Sequence, residues 1–142
     1  MIGLDCNILV QLAFAEHPAN PKSQAIVEAE IESGTDLVFP SLVITEFLHI
    51  ATDGRRFSPP FTMPEAVAWI QEFMNNPAVR LLEPTPASLD QTLQWMKQFN
   101  LGRKRILDTH LAAILHTNGV RRLLTSNPSD FTVFTALQTV TP

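Results

Sequence analysis

A single cysteine, Cys6, in 142 residues leaves no internal disulfide framework and suits a reducing compartment. Its expected place is that of a small buried residue at a strand end. No basic stretch followed by an apolar run opens the chain, because Asp5 and Asn7 interrupt its first apolar residues, so a secretory signal is not expected. No apolar run approaches the ~20 residues of a membrane-spanning helix. A cytoplasmic protein without membrane attachment is expected. Charge is also scarce: charged residues make up 17% and the net charge is −4, so the chain lacks the basic surplus of proteins that hold nucleic acid by bulk electrostatics. That lack does not exclude a nuclease, since a site built from carboxylates lowers the protein's own charge and regains it by binding divalent cations. Repeats and low-complexity tracts are absent, and the 11 prolines stand between segments rather than in a linker.

What is present is a core. Hydrophobic residues make up 45%, too many for disorder, and the length fits one domain spanning residues 1–142. Short apolar runs of strand length occur at residues 2–4, 37–39, 79–82, 123–124 and 137–140. Between them lie segments with apolar residues three and four apart, at residues 21–33, 41–52, 63–74, 86–99 and 106–116, each expected to be helical. Punctuation agrees: Ser41 is placed to cap a helix after Pro40, Pro64 and Pro86 suit first turns, and Asn118-Gly119 suits a helix end. Strands alternating with helices predict an α/β domain with a mainly parallel sheet of four to five strands flanked by helices in three layers. In such sheets ligands bind beyond the carboxyl ends of the strands, where strand order reverses.

The acids are therefore read by their distance from strand ends. Asp5 closes the first strand, with Asn7 two residues on. Glu46 is the only acid in the apolar stretch SLVITEFLHI, one turn after the second strand. Asp108 opens RILDTHLAAIL, and Asp130 follows a late strand in LLTSNPSDF. Two have ordinary alternatives: Asp108 as a helix N-cap and Asp130 as a turn residue. Asp5 and Glu46 are harder to explain so, because a carboxylate among apolar neighbours costs several kcal/mol unless it is paired or bound to a metal. No Lys or Arg adjoins Asp5, Glu46 or Asp130, whereas Arg103, Lys104 and Arg105 precede Asp108. The simplest compensating charge is Mg²⁺ or Mn²⁺, hard ions that take oxygen ligands, and the chemistry they imply is metal-dependent phosphodiester hydrolysis. A strand-end aspartate also serves phosphotransfer enzymes, but those need a second aspartate where this chain has Asn7.

Four ordered pieces, IGLDCN, LVITEFLHI, DTHLAAIL and LLTSNPSDF, resemble the PIN-domain ribonucleases, in particular the VapC-like toxins of toxin-antitoxin pairs. The resemblance covers nearly the whole chain. It implies a PIN-like fold and cleavage of single-stranded or looped RNA with one or two Mg²⁺ or Mn²⁺. It also implies a cognate antitoxin and a homodimer. Carried over, Asp5, Glu46 and Asp108 would be the principal carboxylates, with Asn7 supporting Asp5 and Thr125 close to the metal. The family often carries an acid two residues after the threonine, where this chain has Asn127; Asp130 is then the fourth acid, and Asn127 either orients a water or caps the turn. Arg103, Lys104 and Arg105 are candidates for the RNA backbone or a solvated basic turn, Arg55-Arg56 and Arg121-Arg122 weaker ones. His49, His110 and His116 need not act as bases. The alternative is a catalytically silent PIN-like domain that binds RNA or protein, for which Asn127 is the support.

Overall fold

The computed structural model, which describes residues 1–142, pairs all five expected strands in parallel, the central ones buried and the outer ones partly open to solvent. The strands are β1 (Ile2–Leu4), β2 (Leu37–Pro40), β3 (Val79–Leu82), β4 (Arg122–Leu124) and β5 (Gln138–Val140). Their order across the sheet is β3-β2-β1-β4-β5. β1 and β2 are buried throughout, the pattern of central strands covered on both faces. Gly3 faces Leu115 so closely that an added Cβ would lie 2.7 Å from its Cδ1, which lets the flanking helix press onto β1.

The helices are α1 (Cys6–Ala13), α2 (Asn20–Glu32), α3 (Ser41–Ala51), α4 (Met63–Met74), α5 (Pro86–Gln98) and α6 (Ile106–Thr117). The chain begins in the middle of the sheet, winds outward through β2 to β3, then returns past β1 to β4 and β5. Right-handed crossovers in opposite directions place α1–α4 on one face and α5–α6 on the other; accordingly α1 packs on α2 and α3, α3 on α4, and α5 along α6. The reversal lies between β1 and β4, so ligand chemistry is expected at their carboxyl ends.

The punctuation holds at most helix ends. Thr62 and Thr85 form capping boxes ahead of Pro64 and Pro86, and Gly119 (φ 74) follows Asn118, the C-cap of α6. Ser41 does not cap α3: Pro40 occupies the cap position and no side chain bonds there. Asp108 is not the N-cap of α6 either, because Arg105 fills that position and Asp108 sits in the first turn. α1 is an element that the apolar spacing conceals. Its sequence CNILVQLA buries five of eight residues, so only Asn7 and Gln11, four apart, mark the helical period. Cys6 accordingly opens a helix rather than ending a strand, and its burial pushes the thiol well above its ordinary range.

Candidate active site

Asp5 leaves β1 and at once caps α1, its Oδ1 accepting the Cys6 N–H at 2.7 Å. Thr125 leaves β4 beside it. Backbone pairing fixes both: the Asp5 N–H donates to Leu124 O and the Thr125 N–H to Val140 O, each at 3.0 Å. The fully buried Thr125 then donates its hydroxyl to Asp5 Oδ2 at 2.6 Å. Asn7, the second residue of α1, donates Nδ2 to the same oxygen at 2.8 Å, while its Oδ1 accepts the Ser126 N–H at 3.1 Å. Three donors therefore converge on one buried carboxylate. They lower its pKa, but burial is the stronger influence and the net position is above the usual carboxylate range.

The other three acids approach from different elements. Glu46 lies midway along α3, which buries Val43, Phe47 and Ala51 against the core and so turns Glu46 toward the end of the sheet. It makes no hydrogen bond, and its carboxyl is raised first by burial and then by repulsion from Asp5 and Asp108. Asp108, in the first turn of α6, is raised by burial and by repulsion from Asp130 and Asp5. Asp130 ends the short 3-10 turn Pro128–Asp130 after β4. Its charge also acts on Asp5. Four carboxylates separated by tens of residues thus lie within one another's field at the β1–β4 switch point.

Cations reach this cluster from two sides. Arg105 Nε stands 3.3 Å from Asp108 Oδ2. Arg56, in the loop after α3, lowers the Glu46 carboxyl through its charge, as does His49. Arg55 takes Asp53 in a fork, Nε to Oδ1 at 3.0 Å and Nη2 to Oδ2 at 2.9 Å, which leaves Arg56 a looser contact of 3.9 Å with the same residue. Of the basic turn, Arg103 and Lys104 are exposed and Arg105 half-buried. Arg122 forks onto Glu30 at the opposite end of β4, and Arg121 points to His116. His110 and His116 are packing groups: His110 bonds Thr92 and His116 leans on Trp95.

The donor set is wholly oxygen and wholly anionic, which fits Mg²⁺ or Mn²⁺ better than a soft metal. No three His, Cys, Asp or Glu side chains stand close enough to hold an ion as they are. The acids repel one another, and Arg105 draws on Asp108. Asn127 does not cap the turn, since no side-chain bond is made there; its backbone N–H instead donates to Thr125 Oγ1 at 3.0 Å. Sequence reasoning missed the support behind Asn7: Gln11 Nε2 bonds Ser126 Oγ at 2.6 Å, and Ser23 bonds Gln11 in turn. A glutamine four residues after Asn7 in an otherwise apolar segment was the one available signal, and it is nearly fully buried.

No protein-family model matches the chain. Ribonuclease VapC33 of Mycobacterium tuberculosis is 29% identical over 115 residues, 80% of this chain and 79% of its own length. Ribonuclease VapC24 of the same species is 27% identical over 134 residues, covering 94% and 91%. Among solved structures, VapBC2 from Rickettsia felis, bound to a DNA fragment from its promoter, superposes with a TM-score of 0.71 at 16% identity over 99% of this chain and 98% of that one. Mycobacterium tuberculosis VapC20, described as a sarcin-ricin loop cleaving toxin, gives 0.67 at 13% identity over 87% of each chain. The fold implied by the four sequence pieces is the fold observed.

Proposed function

We propose that this chain, VapC-like in sequence and of PIN-domain fold, is a metal-dependent endoribonuclease and the toxin of a toxin-antitoxin pair. The observation that carries the reading is the approach of Asp5, Glu46, Asp108 and Asp130 at the carboxyl ends of β1 and β4, with a mutual repulsion that Arg105 and Arg56 offset only in part. Those four side chains would hold Mg²⁺ or Mn²⁺. The chemistry such an ion supplies is polarisation of a phosphate oxygen and acidification of a water. The chain's own residues orient the donors: Thr125 and Asn7 lock Asp5 in one rotamer, and Gln11 with Ser126 steadies the loop that carries Asn127 and Asp130. Arg103 and Lys104, exposed at the head of α6, are placed to meet the RNA backbone.

Two surfaces support the partners. Phe14, Phe57 and Phe61 line an open cavity of about 890 Å³ that reaches Asn7 and Arg56 at the edge of the acidic site, suited to apolar side chains of an antitoxin that also covers the acids. Leu89 and Leu93 on α5 and Ile106 and Leu107 on α6 are 53%, 61%, 47% and 56% exposed, an apolar patch suited to a second copy of the chain. No helix is long and apolar enough to cross a membrane. The catalytically silent reading rests on Asn127; the field of Asp130 on Asp5 and Asp108 weighs against it.

The test is cleavage of a broad panel of structured and single-stranded RNAs with Mn²⁺, with Mg²⁺ and with EDTA. Cleavage that needs the ion and is abolished in Asp5→Ala and Asp108→Ala is expected. No cleavage of any substrate, together with no binding of either ion, would establish the silent reading instead.

A further inference from the structure

Arg105 is the one residue with buried side-chain nitrogens that lack any hydrogen bond, Nε and Nη2. A guanidinium stays charged at every physiological pH, and unpaired buried donors are costly, so something other than directed bonding keeps it there. Its backbone is fixed by both neighbours: the N–H donates to Gly102 O at 2.9 Å, and the carbonyl accepts the Thr109 hydroxyl at 2.6 Å. From that anchor the side chain, 26% exposed, lies against Asp108 at 3.3 Å. The pair is held by charge without alignment. Asp108 is also the acid that Asp5 and Asp130 both repel, so Arg105 stands on the side where positive charge is most needed. Neither Arg103 nor Lys104, beside it in the same turn, makes an ion pair with any acid. The proposal below rests on the metal reading of the site given above.

We propose that Arg105 is a built-in counter-cation that occupies Asp108 in the metal-free protein and competes with the divalent ion for that carboxylate. Loading the site then requires Arg105 to leave Asp108, and the open arrangement of the acids is the arginine-held state. A purely positioning role for Arg105, in which it aims Asp108 at the ion, predicts the opposite sign for the same substitution.

The experiment is calorimetric titration of Mn²⁺ into the parent, Arg105→Gln and Arg103→Gln, the last giving the same change of charge at an exposed site that makes no ion pair. Arg105→Gln is expected to bind Mn²⁺ at least about five-fold more tightly than Arg103→Gln, because a cation close to the binding carboxylate is removed. Equal affinities, or weaker binding by Arg105→Gln, would overturn the competition. A measurement on the parent protects against a variant that fails to fold: the Arg105 Nε–H resonance, assigned by its disappearance in Arg105→Lys, should move on Mg²⁺ titration with the midpoint of the ion's binding, and a resonance unmoved at saturation overturns the proposal. Parent protein that binds neither ion would sink the metal reading and this inference with it, whereas tight binding by the parent with no gain in Arg105→Gln sinks the competition alone.

Discussion

Replacing Thr125 with valine removes a hydroxyl from the centre of the acidic site while keeping the shape and branching of the side chain. Thr125 is fully buried; its Oγ1 donates to Asp5 Oδ2 at 2.6 Å and accepts from the Asn127 N–H at 3.0 Å and from Asn7 Nδ2 at 3.3 Å. The bond to an ionised carboxylate is worth about 1.5–3 kcal/mol. Asn127 is exposed, so water replaces its lost acceptor at little cost, and the added methyl returns up to about 0.8 kcal/mol. The expected net loss at neutral pH without metal is about 1–2 kcal/mol.

The pH dependence carries the sharper test. Burial holds the folded Asp5 carboxyl above its ordinary range, and Thr125 is the strongest of the groups opposing that rise, so valine raises it further. The charge-assisted part of the bond exists only while Asp5 is ionised in the fold. Destabilisation should therefore be full above the folded pKa of Asp5 and shrink as pH falls through it, reaching about 0.5 kcal/mol or less once the carboxyl is protonated in folded and unfolded chains alike. Urea titrations in EDTA at about pH 8 and about pH 3 measure both ends. An equal loss at the two pH values would refute the reasoning, because the bond would then not be one to a charged group. With metal and RNA present, the same variant should cleave about 10–100-fold more slowly, as expected for a group that orients a ligand.

Glu46→Gln should act in the opposite direction on stability. Glu46 makes no hydrogen bond to lose, and its raised carboxyl comes from burial and from Asp5 and Asp108, so neutralising it should stabilise the metal-free protein by about 0.5 kcal/mol after solvent screening is allowed for. Because the folded pKa of such a group exceeds the unfolded one, its cost appears as pH rises through that interval; melting curves in EDTA should decline over it in the parent and less so in Glu46→Gln, and a lower melting temperature for the variant at neutral pH would contradict this account. Gly3→Ala would bring a Cβ to 2.7 Å and 2.8 Å from the two methyl carbons of the fully buried Leu115, an overpacking expected to cost about 1–3 kcal/mol by urea unfolding; a silent substitution would show that α6 can slide on the sheet.

The central strands were legible because burial on both faces of a parallel sheet writes them as unbroken apolar runs, and the bounds read for 2–4 coincide with β1; the outer run 79–82, partly exposed and broken by Arg80, still coincides with β3. The same burial hid α1. Eight residues with Ile8, Leu9 and Val10 buried in succession show their period only through Asn7 and Gln11, and length alone does not separate such a helix from a strand. The acids were legible one by one for a related reason: an ionisable group amid apolar neighbours stands out when folding must bring it a partner. Who the partner is depends on tertiary approach, so nothing local announced that Arg56, ten residues beyond Glu46, would bear on it, or that Arg105 rather than Arg103 or Lys104 would take Asp108. Ser41 misled because the chain turns into α3 one residue earlier, at Pro40, whose extended backbone supplies the cap geometry without a side chain.

Asp5 and Glu46 began as the same puzzle, a carboxylate where apolar side chains belong, and the fold resolves them differently. Asp5 receives three donors from residues that β1 and β4 place rigidly, so its orientation is set before any ligand arrives. Glu46 receives none, and Asp108 receives only an unaligned arginine. One acid is therefore prearranged and two are electrostatically stressed, which divides the site into a fixed reference point and a part that can close. The stress is tolerated because its supports lie elsewhere: β1 and β2 are wholly buried, and the Asp5–Thr125–Asn7 bonds tie the two strand ends across the switch point. An ion that relieves the repulsion would draw Glu46 and Asp108 toward Asp5, and the free energy of that relief would appear as added stability of the fold. Binding and folding are then coupled most strongly through the acids with the fewest hydrogen bonds, so metal-induced stabilisation should fall further in Glu46→Gln than metal-free stability rises. Differential melts with and without Mn²⁺ compare the two changes directly, and a variant that keeps the parent's full metal-induced shift would show that Glu46 lies outside the closing part of the site.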